Sequence, residues 1–223
     1  DAIATELEAA LAKGEDLNAA IQRLLASIMA DHGAVVFNGD GYSEEWQQEA
    51  AQRGLLNLRT TVDALPQLDT QEAKDLFEKY EVLSNRELAS RYEVYLEQYM
   101  LSVTVEARQT AEMAKTVILP AALRYQGELA GIASNLKNVG VSSEGGPLGE
   151  VTDRIGDLNA AIAGLEAALS GHGGHSTLEE ARYACDTLIP AMGAVRGAAD
   201  ALEHLVADDL WPLPTYQEML FIL

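Results

Sequence analysis

The stretch Ser84-Asn-Arg-Glu87-Leu-Ala-Ser-Arg-Tyr92-Glu-Val-Tyr95-Leu-Glu-Gln-Tyr99-Met100 opens a run that decides the fold. Ser84 and Glu87 have the spacing of a capping box, in which each side chain satisfies a backbone N–H of the first helical turn. No strong stop follows until Gly140. Leu88, Tyr92, Tyr95, Tyr99, Val103, Met113, Val117, Leu123, Leu129, Ile132 and Leu136 keep a helical period across the whole interval. A single helix of that extent would be about 80 Å long at about 1.5 Å per residue. Pro120 lies inside it, removes one backbone hydrogen bond and is expected to kink it.

Two further long helices follow from the same signals. Val151, Ile155, Leu158, Ile162, Leu165 and Leu169 form one apolar stripe. Ser176 and Glu179 form a second capping box. It opens a helix that carries Leu178, Cys185, Leu188, Met192, Val195, Leu202 and Leu205 to about Ala207, with Pro190 inside. The loops between these helices are Val141–Gly149 and Gly171–Gly174. Such short connections force neighbouring helices to run antiparallel. Thr116-Val-Ile-Leu-Pro120-Ala and Thr187-Leu-Ile-Pro190-Ala echo each other, too briefly to define a repeat.

Upstream, Ile3, Leu7 and Leu11 mark a short helix closed by Gly14. Asp16 can cap the next one, whose stripe is Leu17, Ile21, Leu24, Leu25 and Ile28, ended by Gly33. Ala34–Phe37 reads as a brief strand or a buried extended segment. Asn38-Gly39-Asp40-Gly41 is a strong turn signal, and Ser43 caps a short helix closed by Gly54. Residues 55–68 are irregular, with one turn stopped by Pro66, and Asp69 with Glu72 caps a helix to about Tyr80. The tail from Trp211 starts extended because of Pro212 and Pro214, and its apolar end is expected to dock. The expected fold is all-α: an antiparallel bundle of long, proline-kinked helices (84–209), an N-terminal helical hairpin with a small irregular connector (1–83), and an extended docking tail (210–223).

Composition narrows the function classes. With 35 acidic against 15 basic residues, the chain carries a formal charge of −20. It would repel a phosphate backbone and an anionic bilayer, so neither nucleic acid nor membrane is an expected partner. Cys185 is the one cysteine and cannot form an internal disulfide, and no apolar run is long enough to span a bilayer. The start, Asp1-Ala-Ile-Ala4, has neither an initiator methionine nor a signal-like stretch, as expected for a piece of a longer, cytoplasmic chain.

Few residues suggest chemistry. His172 and His175 could share a metal with His204 or Cys185, but the glycines between them suggest a loose loop instead. The Asn38–Gly41 turn lacks the alternating oxygen ligands of a calcium loop, and no lysine completes a phosphate loop. Cys185 has apolar neighbours at helical spacing, so a buried, inert thiol is expected. Tyr92, Tyr95 and Tyr99 could line a cofactor pocket, but at steps of three and four they suit core or interface.

Several segments, in order, resemble one family. Val36-Phe-Asn-Gly-Asp-Gly-Tyr-Ser-Glu-Glu-Trp46, Arg53-Gly-Leu-Leu-Asn-Leu-Arg-Thr-Thr-Val-Asp-Ala-Leu-Pro66, Ser90–Tyr99, Met113–Ala121 and Trp211-Pro-Leu-Pro-Thr-Tyr216 are similar to the C-terminal region of type III glutamine synthetases. Nothing in Gly140–Ser176 carries the resemblance. It implies a parent enzyme that joins ammonia to glutamate through a γ-glutamyl phosphate, using ATP and magnesium or manganese. The family's catalytic motifs do not occur here, so the resemblance assigns this chain no catalytic, cofactor-binding or metal residue. The implied partners are the chain's own catalytic domain and other subunits of a homo-oligomeric ring. Asn38, Gly39, Gly41, Tyr42, Trp46, Tyr92, Tyr95 and Tyr99 are the candidate interaction or regulatory residues. The alternatives are a regulatory element that reaches the active site through the Asn38–Trp46 segment, or an independent helical adaptor.

Overall fold

Hydrogen-bonding needs at helix ends set the boundaries. The computed structural model describes residues 2–141 and 146–220. Its helices are α1 (Ala2–Ala12), α2 (Leu17–His32), α3 (Glu44–Gln52), α4 (Thr61–Ala64), α5 (Gln71–Lys79), α6 (Asn85–Met113), α7 (Leu119–Asn138), α8 (Leu148–Leu169), α9 (Thr177–Tyr183), α10 (Ile189–Glu203) and α11 (Tyr216–Leu220). No strand occurs among the described residues. The fold is all-α, as the periodicity predicts. The chain divides into two units, Asp1–Arg59 and Thr60–Leu223, so residues 60–83 belong to the second.

In the first unit, α1 and α2 form the expected hairpin. Asp16 caps α2 by accepting the N–H groups of Asn18 and Ala19 at 3.0 and 3.2 Å. Arg23 reaches from α2 to Glu6 on α1 and to Glu15, so one guanidinium ties the hairpin. The segment expected as a strand or a buried extended run is neither. Gly33–Val35 is a single 3₁₀ turn, and Val35 and Val36 are largely exposed. With no strand to pair with among the described residues, the Val36 N–H bonds back to the Gly33 carbonyl, and the Ala34 and Val36 carbonyls are met by the Arg53 side chain.

In the second unit, both capping boxes form in full, Ser84 with Glu87 and Ser176 with Glu179. Their carboxyls are held below the ordinary carboxylate range. For Glu87 the main cause is the Ser84 hydroxyl; for Glu179 it is the Ser176 backbone N–H. The cap of α5 differs from expectation: Thr70, not Asp69, accepts the Ala73 N–H, and Asp69 instead pairs with Lys74 at 2.7 Å. The expected single turn before Pro66 is α4, but the chain does not stop there: it continues as a 3₁₀ turn, Leu65–Asp69, with Pro66 in its first turn, where its missing N–H costs nothing.

The core lies among α6, α7, α8 and α10. From α8 come Val151, Ile155, Leu158, Ile162 and Leu165, all buried as the stripe predicts. The facing helices contribute small side chains as well as large: Ala107, Ala111 and Ala114, Ala122, Ala184 and Ala199 are buried. Leu123 and Ile132, expected inside, are 47% and 55% exposed, while Ala121 and Ala122 are fully buried. Close helix approach selects small residues, and apolar bulk turned to the open side of α7 stays in solvent.

Neither Pro120 nor Pro190 sits in a simple kink. Each follows a π-helical turn, Ala114–Ile118 and Ala184–Leu188, in which the N–H of Leu119 or Ile189 reaches back five residues, to Ala114 or Ala184. A π turn accommodates one extra residue in an α-helix. The two segments match position for position. Ala111, Ala114 and Ile118 are buried in one, and Ala181, Ala184 and Leu188 in the other, each followed by the Pro-Ala pair. The weak sequence echo is therefore a structural repeat.

The expected loose loop at Gly171–Gly174 is a packed one. A side chain at Gly173 would come within 2.3 Å of the Glu179 carbonyl. Glu180 accepts the N–H groups of Gly173 and Gly174, and Glu179 those of His175 and Ser176. The expected loop at Val141–Gly149 falls partly on residues 142–145, outside the described residues. In the tail, Trp211 and Leu213 pack on the core, whereas Met219 and Leu220 are exposed. Residues 221–223, the end of the expected docking segment, also lie outside the described residues.

Candidate interaction site

Within the first unit, residues 33–59 build a clamp around a guanidinium. Arg53, at the end of α3, donates to the carbonyls of Ala34 at 2.9 Å and Val36 at 2.7 Å. It also pairs with Glu49 one turn back and lies over the Trp46 ring, 5.6 Å from its centroid. Trp46 in turn stacks on Phe37, with centroids 4.5 Å apart. A planar guanidinium suits this set, since it can fork two hydrogen bonds while stacking on an aromatic face. Sequence reasoning named Trp46 but missed Arg53 and Phe37. The Arg-Gly end of α3 was the visible signal, and it reads only as a helix stop.

The turn between Phe37 and Ser43 is tightly built. The Asp40 carboxylate accepts the Tyr42 N–H at 2.9 Å, and the Ser43 hydroxyl donates to the Asp40 carbonyl at 2.7 Å. Ser43 then caps α3 by accepting the Trp46 N–H. Gly39 lies under the Phe37 ring, where a Cβ would come within 2.5 Å of Phe37 Cζ. Asn38 and Gly41 are exposed, and Tyr42 is 99% exposed. Of the expected residues in this segment, Trp46 and Gly39 hold the turn, and Tyr42 stands out from it.

The tyrosine row divides. Tyr92 and Tyr99, seven residues apart, pack on a small core with Val62, Leu96 and Ala181. Tyr95 is 43% exposed. Burial raises the Tyr99 hydroxyl to about 12, helped by its hydrogen bond with Cys185. A phenol held neutral beside a half-buried thiol is a packing arrangement, and Cys185 sits in it as a small apolar neighbour. Next to Tyr95 on α6, Val94, Leu101 and Val105 are 50%, 57% and 63% exposed. At about 100° per residue, Val94, Leu101 and Val105 fall within about 20° of one line along the helix. Tyr95 flanks it.

No group of three or more His, Cys, Asp or Glu able to hold a metal occurs among the described residues. His172, His175 and His204 are each exposed. The described residues thus offer no ligand set that fits the divalent metals the resemblance implies. Among the described residues no helix is long and apolar enough to cross a membrane. A cleft of about 410 Å³ opens where the first π turn meets the tail, with Ala114, Ile118 and Trp211 in its wall. The Trp211 Nε1 is buried and has no hydrogen-bond partner among the described residues.

Together these features define an all-helical module whose most elaborate surface feature is a braced turn. The chain belongs to the glutamine synthetase C-terminal domain family, whose model matches residues 20–137. The family model ends before residues 140–176, but the alignment with the first relative below covers 94% of the chain and so takes in most of that stretch, where no resemblance is expected from its residues. Glutamine synthetase of Butyrivibrio fibrisolvens is 31% identical over 215 residues, covering 94% of this chain and 31% of that protein. Type-3 glutamine synthetase of Dictyostelium discoideum is 32% identical over 215 residues, covering 91% and 29%. Glutamine synthetase of Bacteroides fragilis is 30% identical over 211 residues, covering 91% and 29%. The chain thus spans about a third of the length of the curated relatives it matches.

Proposed function

We propose that this chain is the non-catalytic, helical C-terminal part of a longer, cytoplasmic type III glutamine synthetase and that it makes contacts with other subunits of a ring assembly. The parent would ligate ammonia to glutamate with ATP and magnesium or manganese held elsewhere in its sequence. The observation that carries the contact role is the exposed row Val94, Leu101 and Val105 on α6. Side chains of this size, aligned on one face of a 29-residue helix and left in water, are what a protein interface covers.

The test is Leu101→Glu with Val105→Glu in the full-length synthetase, read by sedimentation velocity. Both side chains are mostly exposed, so the helix itself should tolerate the change. Assembly should fall to smaller species while the far-UV circular dichroism stays unchanged. Intact assembly in the double variant would refute the reading.

A regulatory role for the Asn38–Trp46 segment is the second reading, favoured by the full exposure of Tyr42 on a braced turn. Tyr42→Ala separates the two, because Trp46 supports the turn and Tyr42 does not. A change in turnover with assembly intact supports regulation, and loss of assembly alone removes it.

A further inference from the structure

We infer that Tyr42 is a docking anchor that seats in a recess rimmed by lysine or arginine, on the part of the synthetase lying outside these 223 residues. This rests on the reading of the chain as the C-terminal part of a longer enzyme.

Three observations converge on the turn. First, an aromatic side chain at 99% exposure gains nothing from its own fold, while Phe37 and Trp46 on either side of it are stacked. Second, its backbone is fixed. Asp40 accepts the Tyr42 N–H, Ser43 closes the turn on the Asp40 carbonyl, and Arg53 pins the Ala34 and Val36 carbonyls at the turn's entrance. A side chain presented from a rigid turn has only its two χ angles left to order on docking, which lowers the entropic cost of binding. Third, the surroundings are acidic. Asp40, Glu44 and Glu45 flank the tyrosine and are exposed; among the described residues Glu44 is ion-paired, with Arg59 at 3.3 Å, and Asp40 and Glu45 are not.

Charge then chooses the occupant. A second copy of this chain would bring another acidic surface, with 35 acidic against 15 basic residues, to an acidic turn. Like-charge juxtaposition of that kind opposes docking. About two thirds of each matched relative lies outside the part aligned with this chain, ample length for a basic recess.

The experiment places p-benzoyl-phenylalanine at position 42 of the full-length synthetase, irradiates the assembled enzyme and maps the cross-linked peptide by mass spectrometry. The peptide should lie outside residues 1–223 and contain lysine or arginine. In the same labelled protein, Glu45→Lys should cut the cross-link yield about threefold, the scale expected of one rim charge. Cross-links confined to residues 1–223, no cross-link, or a yield indifferent to Glu45→Lys would each overturn the inference. Failure of the underlying reading looks different: the native protein would then have the mass of this chain alone, with no polypeptide outside it.

Discussion

Replacing Arg53 with alanine should destabilise the first unit and leave the second alone. The guanidinium makes two charge-assisted hydrogen bonds to the Ala34 and Val36 carbonyls, stacks over Trp46 and pairs with Glu49. Its side chain is 28% exposed, so each carbonyl bond is placed at the low end, about 1 kcal/mol. The contact with Trp46 adds about 0.5–1 kcal/mol and the ion pair about 0.3–0.5 kcal/mol. The total, about 2–4 kcal/mol, is comparable with the whole stability of a unit of about sixty residues. At about 1 kcal/mol per molar urea for so small a unit, the midpoint should fall by about 2 M or more. The protein supplies its own probe, because its two tryptophans, Trp46 and Trp211, lie one in each unit. In a Trp211→Phe background, fluorescence follows the first unit, while far-UV circular dichroism is dominated by the longer helices of the second. Arg53→Lys keeps the charge but loses the planar fork, so it should recover less than half of the loss. A fluorescence midpoint that moves by less than about 0.5 M, or full rescue by lysine, would refute the clamp as the organiser of this unit.

Other outcomes follow from the second unit. Leu165→Ala removes a fully buried side chain from the centre of α8 and should cost about 2–5 kcal/mol in chemical denaturation. Deleting the exposed Thr116 should convert the first π turn to continuous α-helix and keep a cooperative thermal transition. Deleting Arg108, in regular α-helix, should turn everything beyond it by about 100° and abolish that transition. Because Glu87 and Glu179 have folded-state pKa values below their ordinary value, their capping boxes stabilise the helix starts above about pH 4.5. That contribution is lost as the pH falls through the depressed folded values. Protection factors for amide exchange at Ser84 and Ser176 should fall in that acid window, and Glu87→Gln with Glu179→Gln should flatten the dependence.

Much of the fold was legible because helix signals are local. Caps act across three residues and core stripes repeat every three or four, so Ser84, Glu87, Ser176, Glu179 and the α8 stripe read directly. Where the reading went astray, partners distant in sequence had intervened. Leu123 and Ile132 keep the period but face out, because helix packing took Ala121 and Ala122 inward. The Asp40–Ser43 turn was visible as a turn, yet its brace was not. Arg53 contacts carbonyls 17 and 19 residues earlier, and nothing in its type or spacing marks which carbonyls they are.

The order of amino acids by itself settled the all-α class, the ends of the long helices, the acidic surface and the family to which the chain belongs. Tertiary structure alone decided which tyrosines lie inside and that two proline segments are copies of one π turn. It also decided that Tyr42 stands free on a braced turn. The physical reason is range: backbone hydrogen bonds and side-chain periodicity are set within a few residues, whereas burial and bracing depend on what the folded chain brings alongside.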